Sequence, residues 1–515
     1  MRNSRTFALV QKQPSIAGLA RQLAYCCVYL LAILPARGQS CCPVAYSQAA
    51  GNALSLTISH DTVFATDGII QSLQIIDLPG QVTYDAGVSI ELMSGFEAKP
   101  GSVFTALIDG CDSIHDVTAQ LELLGNPPVL DGVSGKGRNI WDVQSHQGKI
   151  YIGFGSTVQN TGPTTLFAYD PISDSLLQEC TLQAEAIERF RVFNDTLFVP
   201  NSDPKGGDQL KFSIVVDGDC TDVTLHHNFA HVRDMYLFDG RYYLVGNSRC
   251  PKMYDPSCAG LIALDHWGQS YQDSLLHPLL SAVDPYMNMR WNWFFGMLEV
   301  GDALVIPNAM FTERYNGNLT IKDNLFYHID DDSLHWSALE PESTRLKHHH
   351  FYPALPATPG TDDTLGLQTS LRPFAQLNSQ GKTLYTLRTY SMFSGLYQSA
   401  YNNSRGLMIK DSLRSSALPV TLPESKAVGE DLLQINDEVF VLANMKVAQD
   451  EFWVYVYRST DPQAAPTAWK EVMRFSSSNM ARSFEFYDGH FYFGLGQNDW
   501  DDLNNAGQLL RVDCR

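Results

Sequence analysis

Apolar and polar positions alternate along this chain in short runs, and one arrangement returns seven times between about residue 138 and the C-terminus. Each round has a short apolar strand, a tight polar turn, and a second strand with an aromatic or β-branched residue at a fixed offset. The turn and second strand read Gly148-Lys149-Ile150-Tyr151-Ile152, Asp195-Thr196-Leu197-Phe198-Val199 and Gly240-Arg241-Tyr242-Tyr243-Leu244. The series continues with Asp302-Ala303-Leu304-Val305-Ile306, Lys382-Thr383-Leu384-Tyr385-Thr386, Asp437-Glu438-Val439-Phe440-Val441 and Gly489-His490-Phe491-Tyr492-Phe493. A third alternating run follows, often closing on Asp, as at 166–170, 261–265, 325–330, 407–411 and 509–513. Strand-only repeats of roughly 40 to 60 residues predict an all-β fold, a seven-bladed β-propeller over 138–515.

A strand with period two presents alternate side chains to opposite faces, and a small sheet of such strands leaves apolar area on both. Stacking the sheets radially buries those faces, and closing the ring removes the free ends. The aromatic of each second strand is therefore expected to fill the space between blades. The turn spacing widens between 240, 302 and 382, which reads as loop insertion rather than an eighth blade.

The N-terminus has a different pattern. Arg2, Arg5, Lys12 and Arg21 precede an apolar run at 23–34 and the small-residue stretch Pro35-Ala36-Arg37-Gly38. That order predicts a signal peptide over 1–38, too short in its apolar part to span a membrane, followed by a linker at 39–51. Secretion is the expectation, with a surface lipoprotein acylated at Cys41 or Cys42 as the alternative. A formal net charge of −20 argues against nucleic acid as partner and is compatible with a soluble monomer. Eight cysteines remain beyond residue 38, at 41, 42, 111, 180, 220, 250, 258 and 514. An even number in an exported chain is compatible with disulfides, and Cys250 and Cys258 are placed to staple one loop. No C-x-x-C pair suggests zinc.

Residues 52–111 read as short strands separated by Gly and Gly-Phe turns, with Ile90, Leu92, Phe96, Phe104 and Leu107 expected inward. The stretch YDAGVSIELMSGFEAKPGSVFTALI resembles the three-coathanger-stack segment of exported Bacteroidetes proteins, where it accompanies catalytic, binding or adhesive domains. The resemblance implies export and origin rather than an activity. A linker is expected at 112–137. The stretches RFRVFNDTLFVPNSDP at 189–204 and HVRDMYLFDGRYYLVGN at 231–247 loosely resemble exported sialidase-like and kelch-like propellers. No series of S-x-D-x-G-x-x-W boxes is present, so sialidase activity is not implied.

In a propeller the first strand of each blade lines the central channel, so polar residues at those strand starts converge. Arg138, Asp142, Arg189, Asp234, Arg290 and Arg482 form the expected ligand-binding set. Converging guanidinium groups suit carboxylate or sulfate, whereas the same Arg and Asp residues, paired with one another, would hold the blades in register. His231, Tyr236 and Arg372 form the catalytic alternative: a base beside an arginine that neutralises a uronate carboxylate, as a polysaccharide lyase requires. His348, His349 and His350 alternate sides in an extended chain, so at most two would face one metal. Asp499, Asp501 and Asp502 offer oxygen ligands for Ca²⁺, without EF-hand spacing. Phosphate-binding loops, dinucleotide fingerprints and the zincin and hydrolase motifs are absent from the sequence. The expectation is a secreted propeller that binds an extracellular glycan or other polyanion at the channel mouth. The alternatives are a carbohydrate-active enzyme, such as a lyase on uronate polymers, and a protein-binding scaffold.

Overall fold

A computed structural model of the chain describes most of residues 115–513 and a set of short strands between Thr57 and Leu107. The larger stretches outside the described residues are 1–56, 265–295, 337–368, 392–403 and 498–505. The expected signal peptide, Arg290, the three-histidine run, Asp499, Asp501, Asp502 and Cys250 all lie there or in shorter undescribed stretches.

The described chain from 140 onward folds as a seven-bladed β-propeller. Inner strands of blades 1 to 7 are Ile140–His146, Arg191–Phe193, Phe229–Phe238, Leu298–Val300, Thr369–Ser379, Val428–Ile435 and Met480–Tyr487. Each is joined to its second strand by a two-residue hairpin, for example Phe193 opposite Thr196 and Phe238 opposite Arg241. In those two turns both central residues have positive φ: Asn194 at 48° and Asp195 at 57°, Asp239 at 47° and Gly240 at 75°. Such paired left-handed residues match the right-handed twist of the flanking strands, which is why Asn, Asp and Gly recur there.

Between the blades the packing is apolar. Seven described clusters of buried side chains bridge successive pairs of blades, including blade 7 to blade 1. The second strand of blade 3 shows the rule directly. Tyr242 and Leu244 join the cluster shared with blade 2, while Tyr243 and Val245 join the cluster shared with blade 4. Burying one such side chain contributes about 1.5–3 kcal/mol.

The ring closes through a strand from outside the repeat. Glu122–Gly125 adds antiparallel to Leu509–Asp513 as the outer strand of blade 7, and Arg511 Nη2 meets Glu122 Oε2 at 2.6 Å. Upstream, His115–Asp116 adds in parallel to the outer strand of blade 6. The stretch 112–137, expected from sequence as a linker, is thus partly built into the sheets. Its apolar residues have no hairpin partner nearby in sequence, so periodicity does not mark it. On the outer side of blades 1 and 2, Cys180 and Cys220 form a disulfide across 40 residues. In a chain-entropy account a loop of that size is stabilised by about 4 kcal/mol.

Nearer the N-terminus the described strands pair in parallel: Thr62 lies beside Val82, and Val82 beside Phe104. Thr57–Ile58, Ile75–Ile76 and Glu97–Ala98 form a second parallel set. No described helix is long and apolar enough to cross a membrane.

Candidate anion site at the hub

Five inner strands slip register at corresponding places. The shifts fall at Ile140/Asp142, Val232/Asp234, Pro373/Gln376, Gly429/Asp431 and Ala481/Ser483. A bulge leaves extra residues unopposed and re-aims side chains. Here the extra positions are Trp141, Arg233, Phe374 with Ala375, Glu430 and Arg482. Except for half-buried Ala375 these side chains are all buried.

Contacts between blades that are not neighbours put several of these groups on the axis. Arg189, leading into blade 2, donates from Nη2 to the carbonyls of Pro373 (3.1 Å) and Phe374 (2.5 Å) in blade 5. Arg388, on the second strand of blade 5, stacks on the Phe374 ring at 3.3 Å and donates to the Arg482 carbonyl of blade 7 at 3.0 Å. It also ion-pairs with Glu430 of blade 6 at 2.8 Å, both side chains fully buried. Arg482 in turn lies 4.3 Å from the Trp141 ring centroid in blade 1. Guanidinium over an aromatic face is favourable electrostatically, more so when water is excluded.

Among the described residues Asp234 is the most heavily bonded carboxylate. It accepts from Arg189 Nη1, from Arg191 Nε and Nη2 (3.0 Å each), and from the backbone N–H groups of Met235 (2.9 Å) and Met297 (3.0 Å). Burial opposes its charge, but Arg189 and Arg191 outweigh that and hold its pKa below the usual carboxylate range. The paired alternative therefore describes Arg189 and Asp234.

Other hub carboxylates reach the backbone of the next blade instead. Asp142 accepts from Phe190 N–H at 2.7 Å, Asp431 from Phe484 N–H at 3.1 Å, and Glu485 from Ser145 N–H at 2.8 Å. Burial raises all three: Glu485 to about 7, with Asp142 and Asp431 raised as well. Two asparagines clip backbones together in the same way. Asn139 exchanges bonds with Gln497 N–H and carbonyl, and Asn444 with those of Ala481.

The structure thus brings Arg189, Asp234, Asp142 and Arg482 to the hub. Arg138 lies in the turn before blade 1, its Nε donating to Val133 O at 3.2 Å. Tyr236 lies towards the hairpin end of its strand, its hydroxyl donating to Glu299 Oε2 at 2.7 Å; burial and that carboxylate raise its pKa. His231 and Arg372 lie on the inner strands of blades 3 and 5, near their starts. Cys258 begins the third strand of blade 3. Arg388 was missed from sequence; its signal was a charged residue inside the apolar run of a second strand. Among the described residues no group of three or more His, Cys, Asp or Glu is placed to hold a metal ion.

Fold and hub together define a seven-bladed β-propeller with a buried, charged axis. No family model matches the chain. No curated protein matches it either. Among solved structures it is similar to an ulvan lyase from a new family of polysaccharide lyases, at 11% identity and TM-score 0.41, covering 74% of this chain and 94% of that one. It is also similar to an α-L-arabinanase of Penicillium chrysogenum complexed with arabinobiose, at 9% identity and TM-score 0.34, covering 63% and 92%. A third is the β-propeller domain of the trilobed protease of Pyrococcus furiosus, of open velcro topology, at 9% and 0.37, covering 73% and 95%. At such distances no residue role carries across.

Proposed function

We propose that the protein is secreted and binds an anionic glycan, carrying carboxylate or sulfate groups, at the hub face where the inner strands begin. One observation carries this reading. In a chain of net charge −20, Arg189, Arg191, Arg233, Arg388 and Arg482 are gathered in the hub layer. Guanidinium groups stay charged at any physiological pH, whereas burial makes Asp142, Asp431 and Glu485 harder to ionise. Asp234 pairs with Arg189 and Arg191, and Glu430 with Arg388, so the five guanidinium groups still outnumber these two carboxylates. The field at the mouth then favours anions, and Arg290, Arg372 and His231 are the residues proposed to touch them. A disulfide joining two blades suits an oxidising compartment.

Calorimetry with oligogalacturonate, a sulfated oligosaccharide and a neutral oligosaccharide of equal length, with and without Ca²⁺, tests the reading. Binding of the charged ligands alone, weakened by salt and by Arg372→Gln, is expected. Equal binding of the neutral ligand, or no binding of any, would overturn it. Unsaturated uronate ends appearing during the titration would turn the reading towards a lyase, with His231 and Arg372 as its residues. A Ca²⁺ requirement abolished by Asp501→Asn would bring the acidic loop into the site.

A further inference from the structure

We infer that the carboxylates of Asp431, Glu485 and Asp142 form a proton-binding latch across the seam of the ring, tightened by proton uptake and loosened by proton loss. It shares with the ligand reading the premise that these three acids are hard to ionise, but its tests read stability and protonation rather than binding. The three groups make consecutive steps around the axis. Asp431 of blade 6 holds Phe484 N–H of blade 7, and the next residue, Glu485, holds Ser145 N–H and Gln144 Nε2 of blade 1. Three residues before Ser145, Asp142 holds Phe190 N–H on the way into blade 2. The middle step joins blade 7 to blade 1, the boundary that the strand Glu122–Gly125 also completes.

Two other boundaries solve the same problem differently. Between blades 3 and 4 the acceptor is Asp234, neutralised by two arginines in direct contact. Between blades 4 and 5 it is the neutral amide of Gln376, which accepts from Glu299 N–H at 3.2 Å. At the seam, among the described residues, no lysine or arginine makes salt-bridge contact with any of the three carboxylates. Arg189, Arg191 and Arg388 act on Asp142, and Arg388 on Asp431, without touching them. Asp142 faces and disfavours the charge of both Asp431 and Glu485. Glu430 flanks Asp431 on its own strand, and Ser145 favours the charged form of Glu485. Asp142, Asp431 and Glu485, with Asp142 opposing the charge of the other two, hold less charge together than three isolated acids would.

The N–H bonds of the latch favour the charged carboxylates, but burial, the largest influence on each, outweighs them, so the folded pKa lies above the unfolded one and sets the sign. The stability contributed by Glu485 is complete below the ordinary glutamate range and is lost as pH rises through about 7. Any protein of this net charge would also gain some stability on acidification, so the variant decides the matter rather than the wild-type slope. Melting of the full chain is compared at about pH 5 and about pH 8 for wild type, Glu485→Gln and the exposed control Asp450→Asn. Glu485→Gln keeps an acceptor for Ser145 N–H but has no proton to lose. It should melt above wild type at the higher pH by about 3–5 °C and match it at the lower, while the control keeps the wild-type slope. A Glu485→Gln slope equal to wild type overturns the latch. Infrared titration of the wild type gives a readout independent of any variant. A protonated-carboxyl band should persist in the folded protein at about pH 6.5, well above the ordinary carboxylate range, and disappear by about pH 8.5. Its absence at the lower of these overturns the latch as well.

Discussion

Ion pairs at the axis and ion pairs at the rim look alike in distance and differ in everything that sets their energy. Arg388 and Glu430 meet at 2.8 Å with both side chains fully buried. Lys211 and Asp222, on the outer strands of blade 2, meet at 3.2 Å with 30% and 38% of their side chains exposed. In water the rim pair is screened and each partner can be solvated alone, so losing one costs little. At the axis neither partner has that refuge. The hub pairs are therefore a condition for the blades to meet, whatever their net contribution over an apolar filling.

The contrast can be broken most forcibly at Asp234. Asp234→Ala leaves Arg189 and Arg191 facing each other without their shared carboxylate and removes the acceptor for Met297 N–H. Denaturant unfolding should show a loss of about 3–5 kcal/mol. A loss below 1 kcal/mol would mean water reaches the hub and the axis behaves like the rim. The opposite limit is Lys211→Ala, where the same measurement should move by less than about 1 kcal/mol. A larger loss there would erase the distinction.

How legible the two regions were in sequence follows the same division. Inter-blade packing obeys period two, so the seven turns and the buried aromatics Tyr151, Phe198, Tyr243, Tyr385 and Phe440 stand out without any coordinates. The hub does not obey a period. Arg189 and Asp234 could be placed at strand starts, yet whether they faced a ligand or one another depended on register. Register at the axis is set by bulges, and a bulge adds one residue with no pattern of its own. Arg388 escaped because it occupies a second strand, where the repeat leads one to expect apolar filler. The Cys180–Cys220 disulfide escaped for a related reason: it joins the fourth strands of two blades, whose relative register the repeat does not encode. Closure of blade 7 by Glu122–Gly125 needed the ring itself to become visible.

A double-mutant cycle on Arg388 and Glu430 tests the buried, interdependent axis most directly. Arg388→Met and Glu430→Leu are each expected to cost about 3–5 kcal/mol in denaturant unfolding, and the double variant far less than their sum, a coupling above about 2 kcal/mol. Single losses that add to within about 0.5 kcal/mol would contradict it, because two side chains that do not depend on each other cannot be holding the hub together.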